Sequence, residues 1–122
     1  MGEMKDLLKQ VNSSLPKFSK ENPNEMGSFA KFLQAVESPG VLDTKSKELI
    51  AVALSVTAHC HWCIAYHVHG ALEQGASKEE VREAAWVAVL MGGGPALMYM
   101  QLVDEAIDDF SGTGSSAGGK KK

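Results

Sequence analysis

From Leu49 to Ala58 the chain reads LIAVALSVTA, with only Ser55 and Thr57 polar. A run this apolar predicts a helix buried on most sides, so other elements must be arranged around it. Asp43 or Thr44 offers a cap for its start, and Lys47 and Glu48 fall in its first turns. Directly after the run, HCHWCIAYHVH (59–69) holds both cysteines and all four histidines of the chain. The centre of the fold and the most reactive chemistry are therefore neighbours in sequence.

The flanking segments read as further helices. At 122 residues the chain is long enough for one domain with a modest core. Its residues are 44% hydrophobic but only 7% aromatic, a balance that suits helices better than sheets. Met4, Leu7, Leu8 and Val11 recur at helical spacing; Asn12-Ser13-Ser14 and Pro16 should end that helix, leaving a polar loop to Pro23. Asn24 is a plausible N-cap for a second helix over 25–36, with Met26, Phe29, Phe32, Leu33 and Val36 inward, closed by Ser38-Pro39-Gly40. A fourth helix should start near Cys60 and run to Glu73, with Gly75 as C-cap. Ser77 and Glu80 form a capping-box pattern that opens a fifth, with Val81, Ala84, Ala85, Ala88 and Val89 inward. Gly92-Gly93-Gly94 breaks it, and Pro95 suits the first turn of a sixth carrying Leu97, Met100, Val103, Ile107 and Phe110 on one side. Residues 1–111 are thus expected to form a single-domain, all-α bundle of about six helices, and 112–122 a disordered Gly/Ser/Lys tail.

Several function classes are disfavoured. The net charge is −3 and no basic stripe exists outside the last three lysines, so no nucleic-acid partner is expected. Apolar runs are too short and too interrupted to span a membrane. Residues 1–12 are amphipathic and charged rather than a secretory signal, and Asp6 occupies the place where a myristoylation signal has Ser or Thr. A cytoplasmic location follows as the expectation. There a lone C-x-x-C is redox-active or metal-binding rather than a structural staple.

Cys60 and Cys63 are three residues apart, which on a helix places their Cβ atoms roughly 5–6 Å apart, close enough to bridge. If Cys60 lies in the first helical turn, free N–H groups and the helix dipole stabilise a thiolate there. His67, one turn beyond Cys63, can share a proton with that thiol. If 57–59 is a turn and the flanking helices fold back antiparallel, Glu48 lies about 14 Å from the turn and His67 about 10 Å, at 1.5 Å per residue. A carboxylate at that height would orient His67 and raise its basicity. The rival reading is a zinc site of Cys60, Cys63 and His67, with His59, His61, His69 or Glu48 as fourth ligand; structural zinc sites usually draw ligand pairs from two segments, and only one cysteine pair exists. Gly92–Gly94 lacks the Lys-Ser/Thr of a phosphate loop.

The series Glu48, Cys60-His61-Trp62-Cys63, His67 resembles the E-x11-C-x-x-C-x-x-x-H motif of AhpD-like alkylhydroperoxidases, members of the carboxymuconolactone decarboxylase superfamily. ASKEEVREAAWVAVLMGGGPALMY is similar to that family's downstream helix pair with its glycine break. The resemblance implies an all-helical fold that assembles as a trimer or hexamer, and a thiol peroxidase whose partners are a hydroperoxide substrate and a dithiol reductant or redox partner protein. It further implies that Cys63 attacks the peroxide, Cys60 resolves, and His67 with Glu48 relays protons; no cofactor or metal is called for. Helix-end electrostatics instead favour Cys60 as the more acidic thiol, so the nucleophile stays open on the residues alone. Trp62 stands where some members have His. Two alternatives accompany this reading: a decarboxylase of carboxymuconolactone type, and a non-catalytic oligomeric module that binds metal or senses oxidants.

Overall fold

The apolar run forms α3 (Thr44–Thr57), one of six helices in the computed structural model, which describes residues 2–111. Asp43 is its N-cap, its carboxylate accepting from the Ser46 N–H at 2.8 Å. The others are α1 (Glu3–Glu21), α2 (Pro23–Glu37), α4 (His61–Glu73), α5 (Lys78–Gly92) and α6 (Gly94–Phe110). The expected all-α architecture is borne out, with no strand among the described residues; the tail 112–122 lies outside them.

α3, α4, α6 and α5 form a ring of packed neighbours, with α1 laid against α4 and α6. Val52 and Val56 of α3, Ile64 and Val68 of α4, Val81 of α5, and Val103 and Ile107 of α6 are fully buried and fill the centre. The buried Met4 attaches α1 to this core, and its N–H donates to Asp109 of α6 at 3.0 Å. Lys45–Glu80 ties α3 to α5 and Arg82–Asp104 ties α5 to α6, each at 3.0 Å; both pairs are solvent-exposed and add little beyond register.

Punctuation residues act largely as expected. Ser77 and Glu80 complete a reciprocal capping box. Gly75 takes φ 92° after α4, and Gly93 takes φ 70° as the single residue between α5 and α6.

Four expectations need correction. First, α1 runs through Pro16 to Glu21 instead of ending at 12–16. The stripe Leu8, Val11, Leu15, Phe18 continues across the proline, and both Pro16 and Asn12, whose carbonyl loses its partner, lie on the exposed side, where water can serve it. Second, α2 begins at Pro23, with Asn22 rather than Asn24 preceding it: Pro23 fits N1, and the residue before a proline is pushed out of the helical region. Third, α3 is not buried on most sides, since Ile50 and Leu54 are about half exposed. α2 touches only one edge of α3 and buries none of its own residues; Phe29, Phe32 and Val36 are exposed where inward positions were expected. Fourth, Leu97 of α6 is exposed and Ala96 buried in its place.

Candidate active site

The turn at 58–60 folds α4 back along α3, and this brings Glu48 onto His67. The imidazole Nδ1 lies 2.8 Å from Glu48 Oε1, and both side chains are mostly shielded. A carboxylate only accepts, so Nδ1 carries the proton and Nε2 is the nitrogen able to exchange one with a reacting group. Nineteen residues apart in sequence, the two meet at the heights the helix rise implies.

The turn itself is held tightly. The Cys60 N–H donates to the Ser55 carbonyl at 3.2 Å, and His59 adopts φ 56°, a left-handed conformation uncommon for a non-glycine residue. Tyr99 of α6 holds this residue in place, stacked on the His59 ring at a centroid distance of 4.6 Å and met edge-on by His61 at 5.5 Å. Cys60 is therefore fixed from both flanks.

Cys60 is the N-cap of α4 rather than its first residue, and Cys63 stands at N3. The Cys60 sulfur accepts from the Cys63 N–H at 3.1 Å, as a capping oxygen would. The two cysteines are joined by a disulfide across a Cα separation of 5.2 Å, well inside the bridging range. When the bond is reduced, the same N–H and helix terminus are placed to stabilise a thiolate on Cys60.

Cys63 and His67 line one cavity of about 200 Å³ walled by Val11, Leu15, Phe29, Leu33, Trp62 and Tyr66. A larger groove of about 590 Å³ between α2 and α3 borders it, sharing Leu33, Glu37 and His67. The groove has Glu48 in its wall but touches neither cysteine, so the smaller cavity is where sulfur chemistry can take place. Its surface is mostly apolar, and it opens to solvent between the half-exposed Phe29 and Trp62.

Four further residues adjoin the site, and three of them carry no signal in the sequence. Glu37, in the last turn of α2, brings a carboxylate oxygen within 4.8 Å of the donor atoms of Glu48 and His67, and these three could together hold a cation. Tyr66 stands edge-on to His67 at 5.2 Å; burial first, then the carboxylates of Glu37 and Glu48, push its phenol above the ordinary value of 10.0. Gln10 of α1 accepts from Trp62 Nε1 at 2.8 Å and fixes the indole beside Cys63. Tyr99 is the fourth. Glu37, Gln10 and Tyr99 lie outside the motif in sequence and arrive on other helices, whereas Tyr66 directly precedes His67 within it. The zinc quartet is not assembled: the cysteines are bonded to each other, and His69 lies against Phe110 at 5.1 Å with Glu73 nearby.

The chain resembles known proteins in sequence and fold. The model of the carboxymuconolactone decarboxylase family matches residues 23–105. A carboxymuconolactone decarboxylase family protein from Legionella pneumophila, solved in its apo form, superposes with a TM-score of 0.88 at 40% identity over 91% of this chain and 99% of that one. A family member from Thermotoga maritima, for which a part in an antioxidative response has been suggested, superposes with a TM-score of 0.78 at 27% identity, over 86% of this chain and 90% of its own. Among curated relatives, uncharacterized protein 4 in the cox locus of Paracoccus denitrificans is 33% identical over 103 residues, 84% of this chain and 93% of its own length.

Proposed function

Since the chain belongs to the carboxymuconolactone decarboxylase family, and carries a C-x-x-C beside a Glu–His pair, we propose that it is a thiol-dependent peroxidase and disulfide oxidoreductase of AhpD type. The observation that carries the reading is the shared cavity: Cys63 and His67 line one small apolar pocket, and Glu48 holds His67 from behind.

In this reaction the Cys63 thiolate attacks one oxygen of a hydroperoxide ROOH. An S–O bond forms, the O–O bond breaks, and sulfur is oxidised to the sulfenic acid. His67 Nε2, having taken the Cys63 thiol proton when the thiolate formed, gives it to the departing alkoxide, which leaves as ROH, while Glu48 accepts from Nδ1–H throughout. Cys60 then attacks the Cys63 sulfur as a thiolate, the S–O bond breaks, the hydroxide leaves as water with the proton lost by the Cys60 thiol, and the disulfide forms. An external dithiol reduces it by exchange through a mixed disulfide. The net change is ROOH plus a dithiol to ROH, water and a disulfide.

Cys63 is assigned the attack because it shares the pocket with His67. The cap position of Cys60 suits the resolving thiol, which must be a thiolate when the sulfenic acid appears. A cytoplasmic setting, where thiol reductants are abundant, fits this cycle; no described helix is long and apolar enough to cross a membrane. The suggested antioxidative role of the Thermotoga protein supports the same class. The chain works as a homo-oligomer in this proposal, supported by the uncovered apolar side chains of α2 and of the α5–α6 corner.

The test is steady-state turnover of cumene hydroperoxide with dithiothreitol or dihydrolipoamide as reductant. Turnover that vanishes in Cys63→Ser is the expected result. Wild-type protein that is inert to peroxide yet retains stoichiometric zinc through gel filtration would favour a metal-binding module instead.

A further inference from the structure

We propose that Gly70 is a positioning residue of the site: the missing side chain leaves the space in which the Glu48 carboxylate lies against α4 and reaches His67. The proposal rests on the Glu48–His67 relay proposed above.

Glycine inside a helix is unfavourable relative to alanine, so Gly70, in the body of α4, calls for a reason. Backbone conformation does not provide one, since Gly70 is absent from the residues with positive φ among those described. Space does. A Cβ at this position would stand 2.9 Å from Glu48 Cδ, 2.9 Å from Oε1 and 3.0 Å from Oε2. Real carbon contacts do not come that close, and Oε1 is the atom bonded to His67 Nδ1. Gly27 of α2 is the contrasting case: nothing lies within 4 Å of its would-be Cβ. His67 and Gly70 are three residues apart on one helix face, so the carboxylate spans both, resting on one and accepting from the other.

The atoms that an added methyl would meet are the far end of a flexible side chain. An alanine at position 70 is therefore expected to move the carboxylate off His67 while leaving the helix and the fold intact. The signature is loss of the relay without loss of stability, which a packing role would not produce.

Three measurements test it on the full chain. In Gly70→Ala the thermal midpoint should equal or exceed that of wild type, as in the Gly27→Ala control. The ring 15N shifts of His67, read in alkaline buffer where an ordinary imidazole is neutral, should move from the Nδ1–H pattern toward the Nε2–H form of an unconstrained histidine, as in Glu48→Ala. Peroxide turnover should fall to the level of Glu48→Gln, on the order of 10²-fold, and Gly70→Ala added to Glu48→Ala should change nothing further. An unmoved His67 tautomer in Gly70→Ala would overturn the proposal, as would a lowered midpoint that Glu48→Ala fails to restore. The tautomer reading needs no activity, so it decides the role of Gly70 even if the chain proves not to be a peroxidase.

Discussion

Cys60 and Cys63 sit two and one helical turns before His67, yet their surroundings differ. The Cys60 sulfur is held by the Cys63 N–H at the end of α4, while Cys63 opens on the apolar pocket with His67. Cys63→Ser should abolish peroxide consumption. Cys60→Ser should still react once and accumulate a sulfenic acid that a dimedone probe labels in the mass spectrum; labelling of Cys60 in Cys63→Ser instead would reverse the assignment. Replacing Glu48 by Gln keeps the shape but removes the charge that favours the imidazolium, and should slow turnover on the order of 10²-fold with the disulfide still forming. Tyr66 gives a pH signature. Its folded phenol titrates above 10.0, so the unfolded state ionises first and stability falls as pH rises past that value. Tyr66→Phe should flatten this alkaline decline in thermal-midpoint curves. The four motif residues were legible because E-x11-C-x-x-C-x-x-x-H encodes a turn between antiparallel helices. Glu37, Tyr99 and Gln10 were not, because their place depends on how α1, α2 and α6 dock. Gly70 lay in plain view, but its purpose is visible only once Glu48 is seen against it.

Caps and periodic stripes set the elements. Ser46, through its side chain and then its N–H, holds the Asp43 carboxyl below the ordinary 3.8, and the Ser77 N–H, then the Lys45 ammonium, hold that of Glu80 below 4.5. That contribution is present above those values and is lost as pH falls through the lower folded ones. Replacing both residues by their amides should therefore lower the midpoint near neutrality and reduce its further fall under acid. In the core, Ile64 is fully buried between α4 and its neighbours; Ile64→Ala should cost about 2–5 kcal/mol in denaturant unfolding. α3 through α6 matched their caps and breaks closely. α1 and α2 did not, because a proline ends a helix only when the carbonyl it orphans has no other partner and nothing packs beyond it. Pro16 faces water, and Leu15 on its other side walls the cysteine pocket.

At the scale of the molecule, the polar-to-apolar balance of the surface is unequal. Trp86, Leu90 and Met91 of α5 and Met98 of α6 crowd one corner, while Phe29, Phe32, Ile50 and Leu54 line the open side of α2 and α3. α3 is apolar enough for burial on most sides, but one chain covers only part of it, with Ile50 and Leu54 about half exposed. The self-association proposed above can be tested at one of these faces. Leu90→Lys should shift the sedimenting species toward a smaller one at equal concentration, and an unchanged distribution would remove that corner from the interface. A peroxidase built on a dithiol is tested by counting thiols. Fully reduced protein treated with one equivalent of an alkyl hydroperoxide should lose two thiols per chain, yield one equivalent of alcohol, and recover both thiols with a dithiol but not with a chelator. Thiols that persist through this treatment, or that disappear without alcohol being formed, would contradict a peroxidase built on Cys63 and Cys60.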